Sequence, residues 1–187
     1  MNPVKPYGDK LLSFIDIEST GLALDQCEII ELGLVLYDPQ ADQVLKEYEV
    51  KCKPQHIETA EPQALVINGY NLNPAAYKSS LKTALNKINK LTTDTILVGQ
   101  NIAFDVAFIE RAMSDFDIQP KYDRRKLELM SLAWGCVHNK GLRGLSLKDL
   151  CTYFSVSNVG AHGALIDCQR ALSVYKSLMD LYSNLDS

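Results

Sequence analysis

The sequence predicts an α/β chain, a mixed sheet of five strands with helices on its faces. Three observations carry that prediction. Three strand-like segments follow one another closely before residue 53, and helix-like and strand-like segments alternate after residue 72. Hydrophobic residues make up 47% of the 187, so a chain of this size buries most of the surface its unfolded form exposes and folds without staples. A single domain over residues 1–187 is expected.

The elements follow in order. Leu11-Leu12-Ser13-Phe14-Ile15-Asp16-Ile17 is a short apolar run suited to a central strand, closed by Thr20-Gly21. Residues 27–37 (CEIIELGLVLY) form a second strand, and Asp38-Pro39-Gln40 turns the chain. Residues 44–52 alternate Val44, Tyr48, Val50 and Cys52 against Glu47, Glu49 and Lys51, the pattern of a half-exposed edge strand. Asn73-Pro74 then reads as an N-cap followed by proline, opening a helix with Tyr77, Leu81, Leu85, Ile88 and Leu91 on its apolar stripe.

Thr95-Ile96-Leu97-Val98 is the fourth strand, punctuated by Gly99. Asn101 is placed to cap a helix carrying Phe104, Phe108 and Ala112 on one face. Residues 120–134 read as a short strand running into a helix. Ser146 and Asp149 have the spacing of a capping box. In the last helix Leu165, Cys168, Leu172, Tyr175, Met179 and Tyr182 recur at three-and-four spacing.

Composition excludes several classes. No run approaches the ~20 apolar residues of a membrane span, and the opening MNPVKPYGDK holds no apolar stretch of signal-peptide type. The five cysteines are scattered, without a CxxC pair, which disfavours zinc and suits buried, reduced thiols in a cytoplasmic protein. A net charge of −4 counts against a protein that coats long stretches of nucleic acid. It counts less against an enzyme that grips only a chain end.

The acidic residues are the sequence's first anomaly. Asp16 and Glu18 stand two apart at the end of a strand and so share a face. Side by side they repel, unless they reach solvent or a cation sits between them. Asp105 follows Asn101 in a first helical turn, where an acid also suits the helix dipole. His162 and Asp167 lie five apart, which on a continuous helix would separate them by about 140°. They meet only if His162 lies in a loop, which Gly160 and Gly163 permit, and Asp167 in the first turn after it. Four carboxylates and an imidazole at the mouths of strands and helices fit a two-metal phosphodiester hydrolase. Hard oxygen ligands select Mg²⁺ or Mn²⁺, and two ions about 3.5–4 Å apart suit an in-line displacement at phosphorus.

These residues also resemble a known family. Asp16-Ile17-Glu18-Ser19-Thr20-Gly21-Leu22 is similar to the D-x-E-x-T-G motif of the DnaQ-like exonucleases of the DEDDh type. Asn101-Ile102-Ala103-Phe104-Asp105 is similar to their N-x-x-F-D, and His162-Gly163-Ala164-Leu165-Ile166-Asp167 to their H-x-A-x-x-D. The resemblance spans about residues 10–182. It implies a ribonuclease H-like fold and two Mg²⁺ or Mn²⁺ ions held by Asp16, Glu18, Asp105 and Asp167, with His162 as general base. It implies hydrolysis from the 3′ end of single-stranded DNA or RNA. Thr20, Gly21, Leu22, Asn101 and Phe104 would hold the terminal nucleotide, Leu22 wedged against its base and Phe104 packed on it. Ordinary core packing is the competing reading for Leu22 and Phe104.

Three positions depart from the pattern. Ser19 stands where many members carry Thr, Gln100 where many carry His, and Glu128-Leu129 where an Asp-Thr pair is common. None is a metal ligand in the family. An inactive binding module on the same fold should have lost an acid, whereas all four acids and the His are present. DNA is the expected substrate, with RNA trimming or oligoribonucleotide clearance as the alternative. Only Ser183 to Ser187 follow the last helix, so no polymerase-binding tail is expected; a homodimer stays open.

Basic residues cluster between the second and third motifs. Lys121, Arg124, Arg125, Lys126, Lys140, Arg143 and Lys148 would line one rim of the cleft and hold upstream phosphates, or else form a solvated loop and helix face.

Overall fold

The computed structural model describes residues 6–159 and 162–183. Its sheet grows from β1 (Leu12–Ser19), whose apolar side chains alternate between two cores. β1 pairs antiparallel with β2 (Ile29–Asp38), and β2 antiparallel with β3 (Gln43–Lys51). On its other side β1 pairs in parallel with β4 (Ile96–Gly99), and β4 in parallel with β5 (Lys126–Glu128). The order β3-β2-β1-β4-β5 makes the expected five-stranded mixed sheet. β3 is the edge strand that its alternating sequence predicts, exposed along most of its length.

Six α-helices are described: α1 (Pro62–Ile67), α2 (Leu81–Leu91), α3 (Ile102–Asp115), α4 (Leu129–Val137), α5 (Leu147–Tyr153) and α6 (Ala164–Ser183). On one face Ile15, Ile17, Leu32 and Leu97 pack against Leu85 and Ile88 of α2 and Val106, Ile109 and Met113 of α3. On the other, Leu12, Phe14, Val35 and Val98 pack against Leu129 and Ala133 of α4, Leu150 of α5, and Cys168, Leu172, Val174 and Leu178 of α6. Each face buries a dozen or more large apolar side chains, so two cores hold one sheet between them.

Most expected boundaries recur. The Ser146–Asp149 capping box is formed in full, and residues 126–137 run from strand into helix. The helix expected from Asn73-Pro74 begins later. Pro74–Ala76 closes a single 3-10 turn, because Ser79 then stays extended and pairs with the end of β3, its N–H donating to Lys51 O at 3.1 Å. Ser80 therefore leads α2, and the buried Tyr77 packs from outside the helix. The segment before it carries no clear periodicity and holds α1. All five cysteines are free thiols, four of them buried. Among the described residues no helix is long and apolar enough to cross a membrane.

Candidate active site

Asp16 and Glu18 lie on the α6 side of β1, the face opposite Ile15 and Ile17. Across the ladder Asp16 stands opposite Gly33, and Glu18 opposite Glu31. Those β2 residues seat the start of α6. At Gly33 a Cβ would lie 2.3 Å from the carbonyl carbon of Ala164, so only glycine lets the helix touch the sheet there. Glu31 is fully buried. Its Oε1 accepts the Ala164 N–H at 2.9 Å, and Lys51 Nζ lies 3.2 Å from its Oε2.

With α6 so placed, Asp167 falls in its first turn, and His162 lies in the preceding loop with a left-handed φ of 69°. The His162 N–H donates to Asp167 Oδ2 at 3.3 Å. One ligand atom each of Glu18, His162 and Asp167 lie within 4.8 Å of one another. The loop-then-turn geometry that the five-residue spacing demands is thus the one formed; Gly160 lies outside the described residues.

Asp105 arrives from α3. It is buried, and its Oδ1 accepts the N–H of Ile17 at 3.0 Å, which locks the first turn of α3 against β1. Asn101 does not cap that helix through its side chain. It takes a left-handed φ of 55°. The cap comes from Glu128 at the end of β5, whose carboxylate accepts from Asn101 N at 3.0 Å, Ile102 N at 2.9 Å and, for α4, Met130 N at 2.9 Å. A carboxylate that reaches three backbone donors replaces the shorter Asn side chain. The exposed Asn101 side chain is left outside the helix start.

The acids share one electrostatic environment. Burial above all, then the charges of Asp105, Glu18, Asp167 and Glu31, push the Asp16 carboxyl well above the usual carboxylate range. Burial, then Glu31, Asp167 and Asp105, push Glu18 up to about 8, against the pull of Lys51. Burial pushes Asp105 up to about 7 even though the Ile17 N–H favours its charged form. Like charges crowded out of water favour protons or cations between them. Oxygen donors of this kind suit a hard divalent ion.

The residues expected at the nucleotide end divide. Thr20 turns inward: it is fully buried, its Oγ1 accepts from Glu28 N at 2.8 Å and its carbonyl accepts from Glu61 N at 2.8 Å. Gly21 leaves room for Glu61, whose Cδ would lie 2.5 Å from a Cβ at that position, and Glu61 Oε1 in turn accepts the Leu22 N–H at 2.8 Å. Leu22 is 74% exposed, so core packing does not explain it. Phe104 is half-buried, its ring 4.8 Å from that of Phe108.

The basic cluster is split by the fold. Asp123 N donates to Thr95 O, Asp94 N to Lys121 O, and Lys10 Nζ reaches Asp123 Oδ2 at 2.5 Å, so residues 121–125 sit where β1 and β4 begin. That end lies about 20 Å from the Glu18 end of β1, at ~3.3 Å per residue. Arg125 pairs with Asp123 and Lys126 with Glu110. Arg124, Arg125 and Lys126 therefore do not line the cleft rim. Gln100 Nε2 donates to Leu145 O at 2.9 Å, which holds the segment with the exposed Arg143 and Lys148 at the acidic end.

Sequence reasoning missed Glu31, Gly33, Glu61 and Arg170. Glu31 had a signal: a carboxylate between Ile30 and Leu32 in an otherwise apolar strand requires a buried partner. Arg170 had none, since helical period places it off the Leu165–Cys168–Leu172–Tyr175 stripe and only the folded chain buries it.

A family profile described as Exonuclease matches residues 13–175. Ribonuclease T of Shewanella denitrificans is 25% identical over 91% of this chain and 81% of its own. DNA polymerase III subunit epsilon of Treponema pallidum is 22% identical over 88% of this chain and 74% of its own. The PolC-type DNA polymerase III of Thermotoga maritima is 24% identical over 96% of this chain, which spans only 12% of that polymerase. Among solved structures, exonuclease I superposes with a TM-score of 0.78 at 18% identity, covering 94% of this chain and 43% of the other. Exonuclease I of E. coli in complex with a dT13 oligonucleotide gives 0.76 at 18% identity, covering 91% and 40%. With its sheet order, its helix placement and a family match across most of its length, the chain belongs to the DnaQ-like exonuclease family and has a ribonuclease H-like fold.

Proposed function

We propose that this chain is a divalent-metal-dependent 3′→5′ exonuclease of single-stranded nucleic acid, acting on DNA and releasing nucleoside monophosphates. The observation that carries the reading is the convergence of Glu18, His162 and Asp167 within 4.8 Å, beside two further recessed acids, Asp16 and Asp105, whose burial favours their protonated form when no cation is near. Asp16, Glu18, Asp105 and Asp167 would hold two Mg²⁺ or Mn²⁺ ions. Bound there, such ions polarise the scissile phosphate and favour deprotonation of the attacking water.

The remaining work falls to the chain's own groups. His162 stands on the exposed side of the cluster, reached from a loop, where a neutral imidazole can take the water's proton. The Asp105–Ile17 hydrogen bond fixes α3 to β1, and the Glu31–Ala164 bond fixes α6 to β2, so the acids keep their spacing as a strand enters. Leu22, exposed just past the end of β1, would offer an apolar surface to the terminal base, and the half-buried Phe104, in the first turn of α3 next to Asp105, a second one. The solved exonuclease I complex with dT13 supports single-stranded DNA. The ribonuclease T relatives favour RNA as the second reading.

Digestion of single-stranded DNA and RNA of the same sequence separates the two. Faster shortening of the DNA supports a DNA exonuclease, and faster shortening of the RNA replaces it with an exoribonuclease. His162→Ala should lower turnover strongly and leave Mn²⁺ affinity nearly intact. Loss of Mn²⁺ binding with turnover restored at saturating metal would make His162 a ligand instead of a base.

A further inference from the structure

Arg170 sits one helical turn beyond Asp167 on α6 and is 6% exposed. Its Nη1 donates to Asp167 Oδ1, and its Nη2 donates to Asn158 Oδ1. Asn158 lies in the connection between α5 and α6, four residues before His162. Asp167 spends its second oxygen on the His162 N–H at 3.3 Å. One guanidinium therefore bridges an acid of the cluster and the segment that leads to the imidazole. A planar fork with fixed donors suits such a bridge, and an ammonium group does not. Nothing in the motif pattern asks for a cation at this place, and a buried arginine is costly unless it is paired and hydrogen-bonded, which here ties it to Asp167 and Asn158.

We infer that Arg170 is a positioning residue that sets the orientation of Asp167 and moors the His162 segment to α6, at the expense of metal affinity. The inference rests on the metal-dependent activity proposed for the cluster. Two consequences follow from the geometry. The guanidinium carries a fixed positive charge against a carboxylate that a divalent ion must also use, so it opposes that ion. It also holds the base-bearing segment, and misplacing a catalytic group by about 1 Å can cost about 10²-fold in rate.

The two consequences predict opposite signs. Arg170→Ala should bind Mn²⁺ about tenfold more tightly by calorimetry, since a repelling charge is gone. Its kcat on a single-stranded oligonucleotide at saturating metal should fall about tenfold or more. Arg170→Lys keeps the charge but cannot bridge, so its Mn²⁺ affinity should stay near the parent value while kcat still falls. Asn158→Ala leaves the Arg170–Asp167 pair intact and cuts the mooring, together with the long 3.4 Å hydrogen bond from Asn158 Nδ2 to Thr152 Oγ1. It should lower kcat, leave Mn²⁺ affinity unchanged, and speed hydrogen exchange in residues 155–159. It also keeps the inference testable if Arg170→Ala fails to fold. General loosening of the fold would weaken metal binding and catalysis together. That joint loss, or three variants that match the parent in both measurements, overturns the role assigned to Arg170. A parent protein that neither binds Mn²⁺ nor shortens oligonucleotides would overturn the proposed nuclease activity as well.

Discussion

Glu31 faces Glu18 across the β1–β2 ladder, and its carboxylate accepts the Ala164 N–H that opens α6. One buried side chain thus sets the distance between the strand that carries two of the acids and the helix that carries a third. Glu31→Ala leaves that N–H unpaired and should cost about 1.5–3 kcal/mol, the range for a hydrogen bond to a charged group. Glu31→Gln keeps an acceptor and should retain most of that stability. Gly33→Ala acts at the same seam by steric force, and overpacking there should cost about 1–3 kcal/mol and lower kcat. Chemical denaturation and single-turnover rates check all three. A stable, fully active Gly33→Ala would show that α6 does not need its close seat on β2.

Helix α3 takes its cap from Glu128, so Glu128 and Asn101 should differ sharply on substitution. Glu128→Ala exposes three backbone donors and should destabilise by about 1–3 kcal/mol. Asn101→Gly should change stability by less than about 0.5 kcal/mol, because the left-handed φ of 55° suits glycine. Equal losses in the two variants would return the cap to Asn101.

The metal-free protein should lose stability as pH rises. Glu18 holds its proton up to about 8 and Asp105 up to about 7 in the folded state, whereas unfolded carboxyls release theirs near ~4. Between those limits the folded state binds more protons than the unfolded one, so unfolding free energy falls with pH. Tm in EDTA should decline from about pH 5 to about pH 8. Mn²⁺ should cancel the decline, and its affinity should rise over the same window as it displaces protons. A Tm that climbs through that window in EDTA would contradict the burial of these acids in their protonated form.

Leu22 and Phe104 should part company. Leu22 is mostly exposed, so Leu22→Ala should leave stability within about 0.5 kcal/mol. It should lower kcat/KM about tenfold, through loss of apolar contact with the terminal base. Phe104 packs on Phe108, so Phe104→Ala should lower stability and kcat/KM together. Unchanged kcat/KM in Leu22→Ala would remove Leu22 from the substrate surface.

Legibility in the sequence follows the range of the interaction. β1, β2 and β4 were readable because burial on both faces leaves an apolar run, β3 from its alternation, and α6 because its stripe repeats over five turns. Asp16, Glu18 and Asp167 stood out as charges at element ends, and the structure brings Glu18 and Asp167 together with His162. The delayed start of α2 was hidden because it depends on Ser79 pairing with β3, more than twenty residues away. The Glu128 cap was hidden for the same reason, since its donors lie 26 and 27 residues away. The basic cluster misled because neighbours in sequence fell at opposite ends of the sheet, Arg125 pairing with Asp123 and Arg143 lying toward the acids. Arg170 was hidden in the last helix, where its partners across the loop cannot be read from helical period alone.

Polarity and metal dependence can be read in one reaction, the digestion of single-stranded DNA labelled at its 5′ end. With Mg²⁺ the label should remain on a ladder that shortens one nucleotide at a time from the 3′ end, and with EDTA, or with Asp16→Asn or Asp167→Asn, the full-length strand should persist. Immediate release of labelled mononucleotide, or an unchanged ladder in EDTA or in either variant, would contradict metal-dependent 3′→5′ hydrolysis at this cluster.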